Sequence, residues 1–233
     1  MTIPVFGLSM CLCCIQIGLI IQVLGTYLRD TKLRDSEPTQ YRAGNVDRCA
    51  KFGDGKGLMH ILGFNEPDMC GDGKGGACMS MDAVLSAWSR HMAPLAAKYG
   101  DRLKLGSPAV TNGDDGTDRV GLKFLDSFLH RCNGCKIDFV NIHWYEGAHQ
   151  IDYFKKHVQN ALKVGNGRPV WITEFGLTSG TNEEKRAFLK EALPWLDDQR
   201  DVHRYAYQMA IQGVLINSAG NSLTDLGKAY TYA

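Results

Sequence analysis

From residue 58 onward, the sequence alternates five times between a short apolar run and a longer segment with helical character. The apolar runs are typical of buried strands at 59–64, 103–110, 137–144, 169–175 and 203–207. The segments that follow them are predicted helices at 80–98, 120–130, 151–164, 181–196 and 223–230. Strands that alternate with helices predict a parallel sheet, because each helix returns the chain to the start of the sheet. The fold class is therefore α/β, with residues 58–233 as one domain.

Charge and loop composition exclude several function classes. The 233-residue chain carries 26 Lys and Arg against 25 Asp and Glu, a formal net charge of +1. This balance argues against nucleic-acid binding, which usually leaves a basic excess on the domain. GDGKG occurs at 53–57 and 71–75, but neither copy reads GxxxxGK followed by Ser or Thr, so nucleotide binding is not expected. The histidine spacing predicts no metal site, and we expect no cofactor.

The first 57 residues differ from the rest of the chain. Residues 1–28 contain no charged side chain, and about twenty apolar residues suffice for a membrane-spanning helix. The same stretch fits a secretory signal, a buried core segment or foreign sequence from a faulty gene model. Residues 29–57 contain no clear strand. Membrane contact is therefore expected only if residues 1–28 form an anchor.

Two pairs of cysteines lie close together in the sequence. Cys70 and Cys78 bracket a glycine-rich loop, and Cys132 and Cys135 frame an Asn-Gly turn. Either pair could close a small disulfide loop in an oxidising compartment, which is the interpretation we favour. The CxxC pair could instead be a redox motif or half of a zinc site, for which His130 is the one further ligand nearby.

Two glutamates end predicted strands, where parallel α/β folds place their active sites. Glu66 and Glu174 each follow an apolar run. Apolar walls beside a carboxylate pair can separate the two pKa values and give the acids different roles. Glycoside hydrolysis needs such a pair, because one acid protonates the leaving oxygen while the other attacks the sugar or activates water. Nearby aromatic residues could contact sugar rings or pack in the core: Trp144, Tyr145, Trp171 and Phe175.

Five sequence blocks resemble, in order, the core of glycoside hydrolase family 128: ILGFNEPD, LGSPAVTNG, VNIHWYEG, VWITEFG and RYAYQMA. The resemblance covers roughly residues 58–233, including the CNGC turn and the SLTDLGKAY tail. It implies a (β/α)8 TIM barrel and a retaining endo-β-1,3-glucanase, related to fungal alkali-sensitive-linkage cell-wall proteins. It also implies a β-glucan polysaccharide as the partner and a secreted or cell-wall location.

The resemblance assigns the two catalytic residues. Glu66 matches the acid/base at the end of the fourth barrel strand, and Glu174 matches the nucleophile at the end of the seventh. Together they imply double displacement through a glycosyl-enzyme, with carboxyl groups separated by roughly 5 Å. Asn65 resembles the residue that binds the sugar hydroxyl next to the reacting carbon.

Three consecutive residues are predicted to bind substrate with Asn65. His143 and Tyr145 share one side of their strand by two-residue alternation, so both are expected to point into the site. Tyr145 is then placed to orient the nucleophile. Trp144, between them, either packs behind the site or lines a subsite at its rim.

The chain is short for a complete barrel. A (β/α)8 barrel typically needs about 250 residues, and only residues 1–57 precede the predicted fourth strand. The first three strands are therefore predicted to be incomplete or altered, with residues 29–57 as a remnant. Two alternatives follow: a non-catalytic glucan-binding relative, and a retaining hydrolase of another β-glycan.

Overall fold

The computed structural model describes residues 59–71 and 73–232. The predictions for residues 1–28 and 29–57 lie outside these described residues. Within the described part of the chain, no helix combines the length and the hydropathy needed to span a bilayer.

The described residues form one curled, five-stranded parallel sheet, which is half of a barrel. The strands lie in chain order: β1 (Met59–Ile61), β2 (Leu103–Val110), β3 (Phe139–Gly147), β4 (Val170–Ser179) and β5 (Val202–Tyr207). Every neighbouring pair is parallel. The predicted α/β class, the parallel sheet and its five strands are thus confirmed, whereas a complete (β/α)8 barrel is not shown by the described residues.

The carboxyl ends of two strands differ from the predicted ones. β1 ends at Ile61 instead of residue 64, although Asn65 still makes an isolated parallel bridge with Ala109 of β2. β4 continues to Ser179, four residues beyond the predicted end, because the longer β3 remains paired with it as far as Gly147. The chain therefore stays extended at the edge where the strands end.

Helices follow the strands and cover the outer face of the sheet. They are α1 (Met81–Ala87), α2 (Ala93–Tyr99), α3 (Gly121–Arg131), α4 (Ile151–Gly165), α5 (Asn182–Asp197) and α6 (Asp225–Thr231). A π-helical turn joins α1 to α2 inside the single predicted helix. Pro94 lies at the start of α2 and has no N–H to donate, which explains why the regular ladder is interrupted there. The capping box of Thr181 and Glu184 is present at the start of α5.

The main hydrophobic core lies between the outer face of the sheet and these helices. Trp144 of β3 is fully buried in it. Its ring stacks on Phe188 of α5, with centroids 5.6 Å apart, and meets the edge of Phe154 of α4 at 5.0 Å. One side chain of β3 thus packs two helices against the sheet.

The inner face of the sheet is aromatic near the amino ends of the strands. Phe139 of β3 stacks on Trp171 of β4 at 4.1 Å, and His60 of β1 lies 5.0 Å from Trp171. The Arg204 guanidinium lies 4.7 Å above the Trp171 ring. This layer forms a floor beneath the polar residues of the inner face.

Both predicted cysteine pairs are disulfide-bonded. Cys70–Cys78 closes the glycine-rich loop, and Cys132–Cys135 closes the turn before β3. The structure thus supports disulfides over the redox or zinc alternative for the CxxC pair.

Candidate active site

Three buried ionisable side chains meet where the strands end. Glu66 follows β1, His143 lies in β3 and Glu174 lies in β4, and they are 6%, 2% and 7% exposed. One ligand atom from each, a carboxylate oxygen or a ring nitrogen, lies within 4.8 Å of the other two. The parallel sheet brings them together because all its strands end at the same edge. The two predicted acids therefore share one small site.

A strained backbone holds Glu66 in place. Its φ is +41°, a left-handed conformation that a residue with a long side chain rarely adopts. Its N–H donates to the Ala109 carbonyl at 2.8 Å, and its own carbonyl accepts from Ala77 and Met69, both at 3.1 Å. These three main-chain bonds tie residue 66 to β2 and to the disulfide-closed loop. Strain of this kind persists where the surroundings hold the residue firmly, and it is common at active sites.

His143 lies between the two carboxylates. Its Nδ1 is 2.8 Å from Glu66 Oε1 and 3.7 Å from Glu174 Oε2, and its Nε2 is 3.0 Å from the Thr173 hydroxyl. An ionised carboxylate can only accept a hydrogen bond, so Nδ1 carries the hydrogen when Glu66 is ionised. The neutral ring then accepts from Thr173 through Nε2. Both ring nitrogens thus have protein partners, which fixes the orientation of the imidazole.

A phenol holds Glu174 from the other side. The Tyr145 hydroxyl donates to Glu174 Oε2 at 2.5 Å. Burial, the charge of Glu174 and this hydrogen bond raise the pKa of Tyr145 far above its ordinary value. Tyr145 therefore stays protonated and acts as a permanent donor to the carboxylate.

A β-bulge places two consecutive β4 side chains in the site. Ile142 pairs with Ile172 and His143 pairs with Glu174, so Thr173 is an extra residue opposite β3. Strict alternation would direct Thr173 and Glu174 to opposite faces, but both contact inner-face residues of β3. Bulges re-aim side chains in this way beside active sites.

The predicted substrate-binding residues divide into two groups. His143 and Tyr145 lie at the carboxylates, while Asn65 precedes Glu66 and its Nδ2 lies 3.5 Å from the Gly75 carbonyl of the glycine-rich loop. Trp144 is 0% exposed and packs behind the site, which is the first of its two predicted positions. Its prediction as a substrate-binding residue is therefore wrong, because alternation along β3 turns its side chain to the helices.

Asp68 is a buried site residue to which sequence analysis assigned no role. Its Oδ2 accepts from the Thr111 hydroxyl and the Gly121 N–H, both at 2.7 Å, and from the Thr111 N–H at 3.1 Å. Burial raises the pKa of Asp68, and these hydrogen bonds oppose part of the increase. The carboxylate ties the segment after Glu66 to the end of β2 and the start of α3. Its position two residues after Glu66 was the available signal.

The cluster of Glu66, His143 and Glu174 also has the donor types and spacing that could hold a metal ion. In the structure these side chains are engaged in hydrogen bonds: His143 Nδ1 bonds Glu66, His143 Nε2 bonds Thr173, and Glu174 accepts from Tyr145. Each carboxylate thus has its own donor: His143 for Glu66 and Tyr145 for Glu174.

Comparison with known proteins identifies the family. A family model described as "Glycosyl hydrolase catalytic core" matches residues 35–230. The chain belongs to this family. The region that the family model matches begins at residue 35, within residues 29–57, which were predicted to be a remnant of the early barrel strands.

Two solved structures that resemble the glycosyl hydrolase core are β-1,3-glucanases. An exo-β-1,3-glucanase of family 128 from Blastomyces gilchristii, specific for curdlan, is 39% identical, with 84% of this chain and 78% of that chain covered and a TM-score of 0.67. A variant of an endo-β-1,3-glucanase from Amycolatopsis mediterranei, bound to laminaripentaose, is 27% identical, with 81% and 76% covered and a TM-score of 0.61. The predicted resemblance to family 128 is thus confirmed.

A longer relative comes from fission yeast. Alkali-sensitive linkage protein 1 of Schizosaccharomyces pombe is 31% identical over an alignment of 189 positions, which covers 73% of this chain. The aligned part is 32% of that protein, so the chain spans about a third of its length.

Proposed function

We propose that the glycosyl hydrolase core cleaves β-1,3-glucan with retention of configuration, using Glu174 as nucleophile and Glu66 as acid/base. The observation that carries this proposal is the carboxylate geometry. Oxygens of the two glutamates lie within 4.8 Å of each other. Retaining glycosidases hold their carboxyl groups about 5–5.5 Å apart, whereas inverting enzymes need about 6.5–9.5 Å to admit water. The β-1,3-glucanase neighbours support the choice of substrate.

In the first step, Glu174 attacks the anomeric carbon and forms a glycosyl-enzyme. The Tyr145 hydroxyl donates to Glu174 Oε2. That bond fixes the rotation of the carboxylate toward the sugar, and holding reactants in a near-attack geometry lowers the barrier. Because its pKa is raised, Tyr145 stays protonated and does not repel the Glu174 carboxylate.

Glu66 donates a proton to the oxygen of the leaving glucan chain. Its Oε1 accepts from His143 Nδ1, so the proton to be transferred resides on Oε2. In the second step the same carboxylate takes a proton from water, which attacks the glycosyl-enzyme and releases the sugar with net retention. His143 bonds Glu66 directly, and its Nδ1 lies 3.7 Å from Glu174 Oε2. It therefore keeps the acid/base beside the nucleophile in both steps.

The five strands of the half-barrel correspond, in this proposal, to strands four to eight of a (β/α)8 barrel. Glu66 then follows the fourth strand and Glu174 ends the seventh. Asn65 is proposed to bind the sugar hydroxyl beside the reacting carbon, and His143 and Tyr145 to form the wall of that subsite.

An extracellular or cell-wall location fits this function. Two disulfide bonds are typical of an oxidising compartment, and β-glucan is a wall polymer. The yeast relative, alkali-sensitive linkage protein 1, is compatible with such a location.

Glu66→Gln and Glu174→Gln test the proposal on laminarin. Each variant keeps the side-chain shape but removes the acid or the nucleophile, so we expect kcat to fall by about 10²–10⁴-fold or more. Glu191→Gln is the matched control, because Glu191 is exposed on α5 and bonds only Lys155 among the described residues. Reducing-sugar release measures turnover, and proton NMR of the first product measures its configuration.

Three outcomes would contradict the proposal. Unchanged turnover in both glutamine variants would remove the catalytic assignment, and an inverted first product would remove double displacement. Glucan capture in a pull-down, without release of reducing sugar from any β-glucan, would favour the non-catalytic alternative.

A further inference from the structure

We propose that Asn112 is a positioning residue of the active site, which sets Tyr145 against Glu174 by replacing the missing end of a neighbouring strand. The inference rests on the proposed function, because it deepens the role of Tyr145 beside the nucleophile. Asn112 lies outside the strands, two residues after the end of β2 at Val110.

The sheet leaves Tyr145 without a β2 neighbour. The last register pair between the two strands joins Val110 to Ile142, yet β3 continues to Gly147. Tyr145 lies in this overhanging part. Its main chain must find other hydrogen-bond partners, because an unpaired buried peptide group is costly.

The Asn112 side chain supplies both partners. Its Oδ1 accepts the Tyr145 N–H at 3.0 Å, and its Nδ2 lies 3.4 Å from the Tyr145 carbonyl. A side-chain amide carries one acceptor and one donor group, as a peptide group does. Asn112 therefore acts as one extra unit of the β2 edge, and it does so at the residue whose hydroxyl holds Glu174.

A second tyrosine keeps Asn112 in this position. The Tyr153 hydroxyl, from α4, donates to the Asn112 main-chain carbonyl at 2.6 Å. The Asn112 Nδ2 lies 3.5 Å from the Tyr153 hydroxyl oxygen. We call the Asn112 side chain, with its two contacts to the Tyr145 main chain, the clamp. The clamp is therefore tied to α4, the helix that follows β3. The chain of contacts runs from α4 through Asn112 and the Tyr145 backbone to Glu174.

The position of the Tyr145 backbone determines where its hydroxyl lies. The ring has few rotamers in a strand, so a shift of the main chain carries the hydroxyl with it. The hydroxyl donates directly to Glu174 Oε2, and a hydrogen bond weakens as donor and acceptor move apart. Loss of the clamp would therefore weaken the orientation of the nucleophile without removing any group that touches substrate.

Asn112→Ala tests the inference through kcat. We expect kcat on laminarin to fall by about tenfold to a hundredfold with KM within twofold, since misplacing a reacting group by about 1 Å can have effects of that size. Asn112→Asp keeps the acceptor and loses the donor, so its kcat should lie between that of the parent and that of Asn112→Ala. Asn166→Ala is the matched control: Asn166 caps α4 beyond its last residue, away from the site, and should change the melting temperature without changing kcat.

A double-mutant cycle separates positioning from general destabilisation. If Asn112 acts through Tyr145, then adding Asn112→Ala to Tyr145→Phe should lower kcat by less than twofold further. If Asn112→Ala lowered kcat in the Tyr145→Phe background by the same factor as in the parent, the inference would be overturned.

A crystal structure of the Asn112→Ala chain gives a readout that needs no turnover. We expect the Tyr145 hydroxyl to withdraw from Glu174 by more than 0.5 Å, roughly the precision that positioned sites require. An unchanged hydroxyl position would overturn the inference even in an active enzyme. Failure of the proposed function would instead appear as an inactive parent chain, and the structural comparison would still decide the role of Asn112.

Discussion

The two faces of β3 are both buried, but they are buried by different means. On the outer face, Val140, Ile142 and Trp144 are all 0% exposed and pack under the helices. On the inner face, Asn141 and His143 are 0% and 2% exposed, and Tyr145 is half-buried. Burial alone therefore does not distinguish the structural face of the strand from the chemical one.

Hydrogen bonding is what distinguishes the two faces. Asn141 Nδ2 donates to the Ser107 carbonyl at 2.6 Å, although Asn141 Oδ1 has no partner among the described residues. Both ring nitrogens of His143 have partners, and Tyr145 donates to Glu174. Trp144 on the outer face has an indole N–H with no partner among the described residues. The outer face is thus stabilised by apolar packing, whereas the inner face requires specific polar partners. Substitutions on the outer face should change stability, and substitutions on the inner face should change chemistry.

Trp144→Ala should give the largest loss of stability. Removing a fully buried tryptophan leaves a cavity beside Phe154 and Phe188, and we expect the free energy of unfolding to fall by about 3–5 kcal/mol. Urea unfolding measures the loss, and kcat per folded molecule should stay within twofold of the parent.

Two variants make this test of the outer face sharper. Trp144→Phe keeps the stacking surface and loses no hydrogen bond of the indole, so it should lose far less stability. Trp195→Ala removes a half-buried tryptophan of the same helical layer and should also lose less. A tenfold lower kcat in Trp144→Ala, measured on folded protein, would contradict the separation of the two faces.

Two buried histidines extend the comparison to pH. His143 on the inner face has two partners, whereas His157 of α4 is 5% exposed and its Nε2 has none among the described residues. Burial lowers the pKa of His157 from 6.5 to about 4. The folded state therefore holds this imidazole neutral at pH values where the unfolded chain binds a proton.

Acidification should destabilise the fold through His157. A depressed folded-state pKa gives stability that is fully present above pH 6.5 and is lost as the pH falls toward about 4. At 1.36 kcal/mol per pH unit, the loss from this group is about 3 kcal/mol. His157→Leu should remove that component, so its free energy of unfolding, measured by urea at pH 7 and pH 4, should depend less on pH. An equal pH dependence in both proteins would show that His157 does not carry it.

The same strand shows how much could be predicted from the sequence. Apolar runs located all five strands, and strand ends located Glu66 and Glu174, because both signals depend only on local pattern. Alternation already separated Trp144 from His143 and Tyr145. It left open whether Trp144 packs behind the site or lines a subsite, and the structure shows Trp144 fully buried.

Features that depend on register could not be predicted. The extra residue Thr173 in β4 brings two adjacent side chains to one face, and no local pattern announces such a bulge. The left-handed conformation of Glu66 and the clamp formed by Asn112 depend on where β2 ends relative to its neighbours. These long-range relations are set when the strands pair, which is why Asp68 and Asn112 received no role from sequence.

Gly176→Ala should give the smallest of these effects and should act on the inner face alone. A Cβ at residue 176 would lie 2.9 Å from Cε1 of Tyr145 and 3.2 Å from the Gln208 carbonyl. The ring must then shift, which weakens its hydrogen bond to Glu174. We expect kcat on laminarin to fall by about tenfold, equivalent to about 1.4 kcal/mol of transition-state stabilisation.

Gly165→Ala is the matched control for the outer face. There the new Cβ would lie 3.2 Å from Cγ2 of Val140, a less severe contact that is made on the outer face of β3. Its kcat should equal that of the parent, while its free energy of unfolding changes by about 1 kcal/mol or less. If both glycine variants lowered kcat equally, tight packing anywhere around β3 would control the chemistry. A loss confined to Gly176→Ala would instead show that the empty space beside Tyr145 is part of the catalytic arrangement.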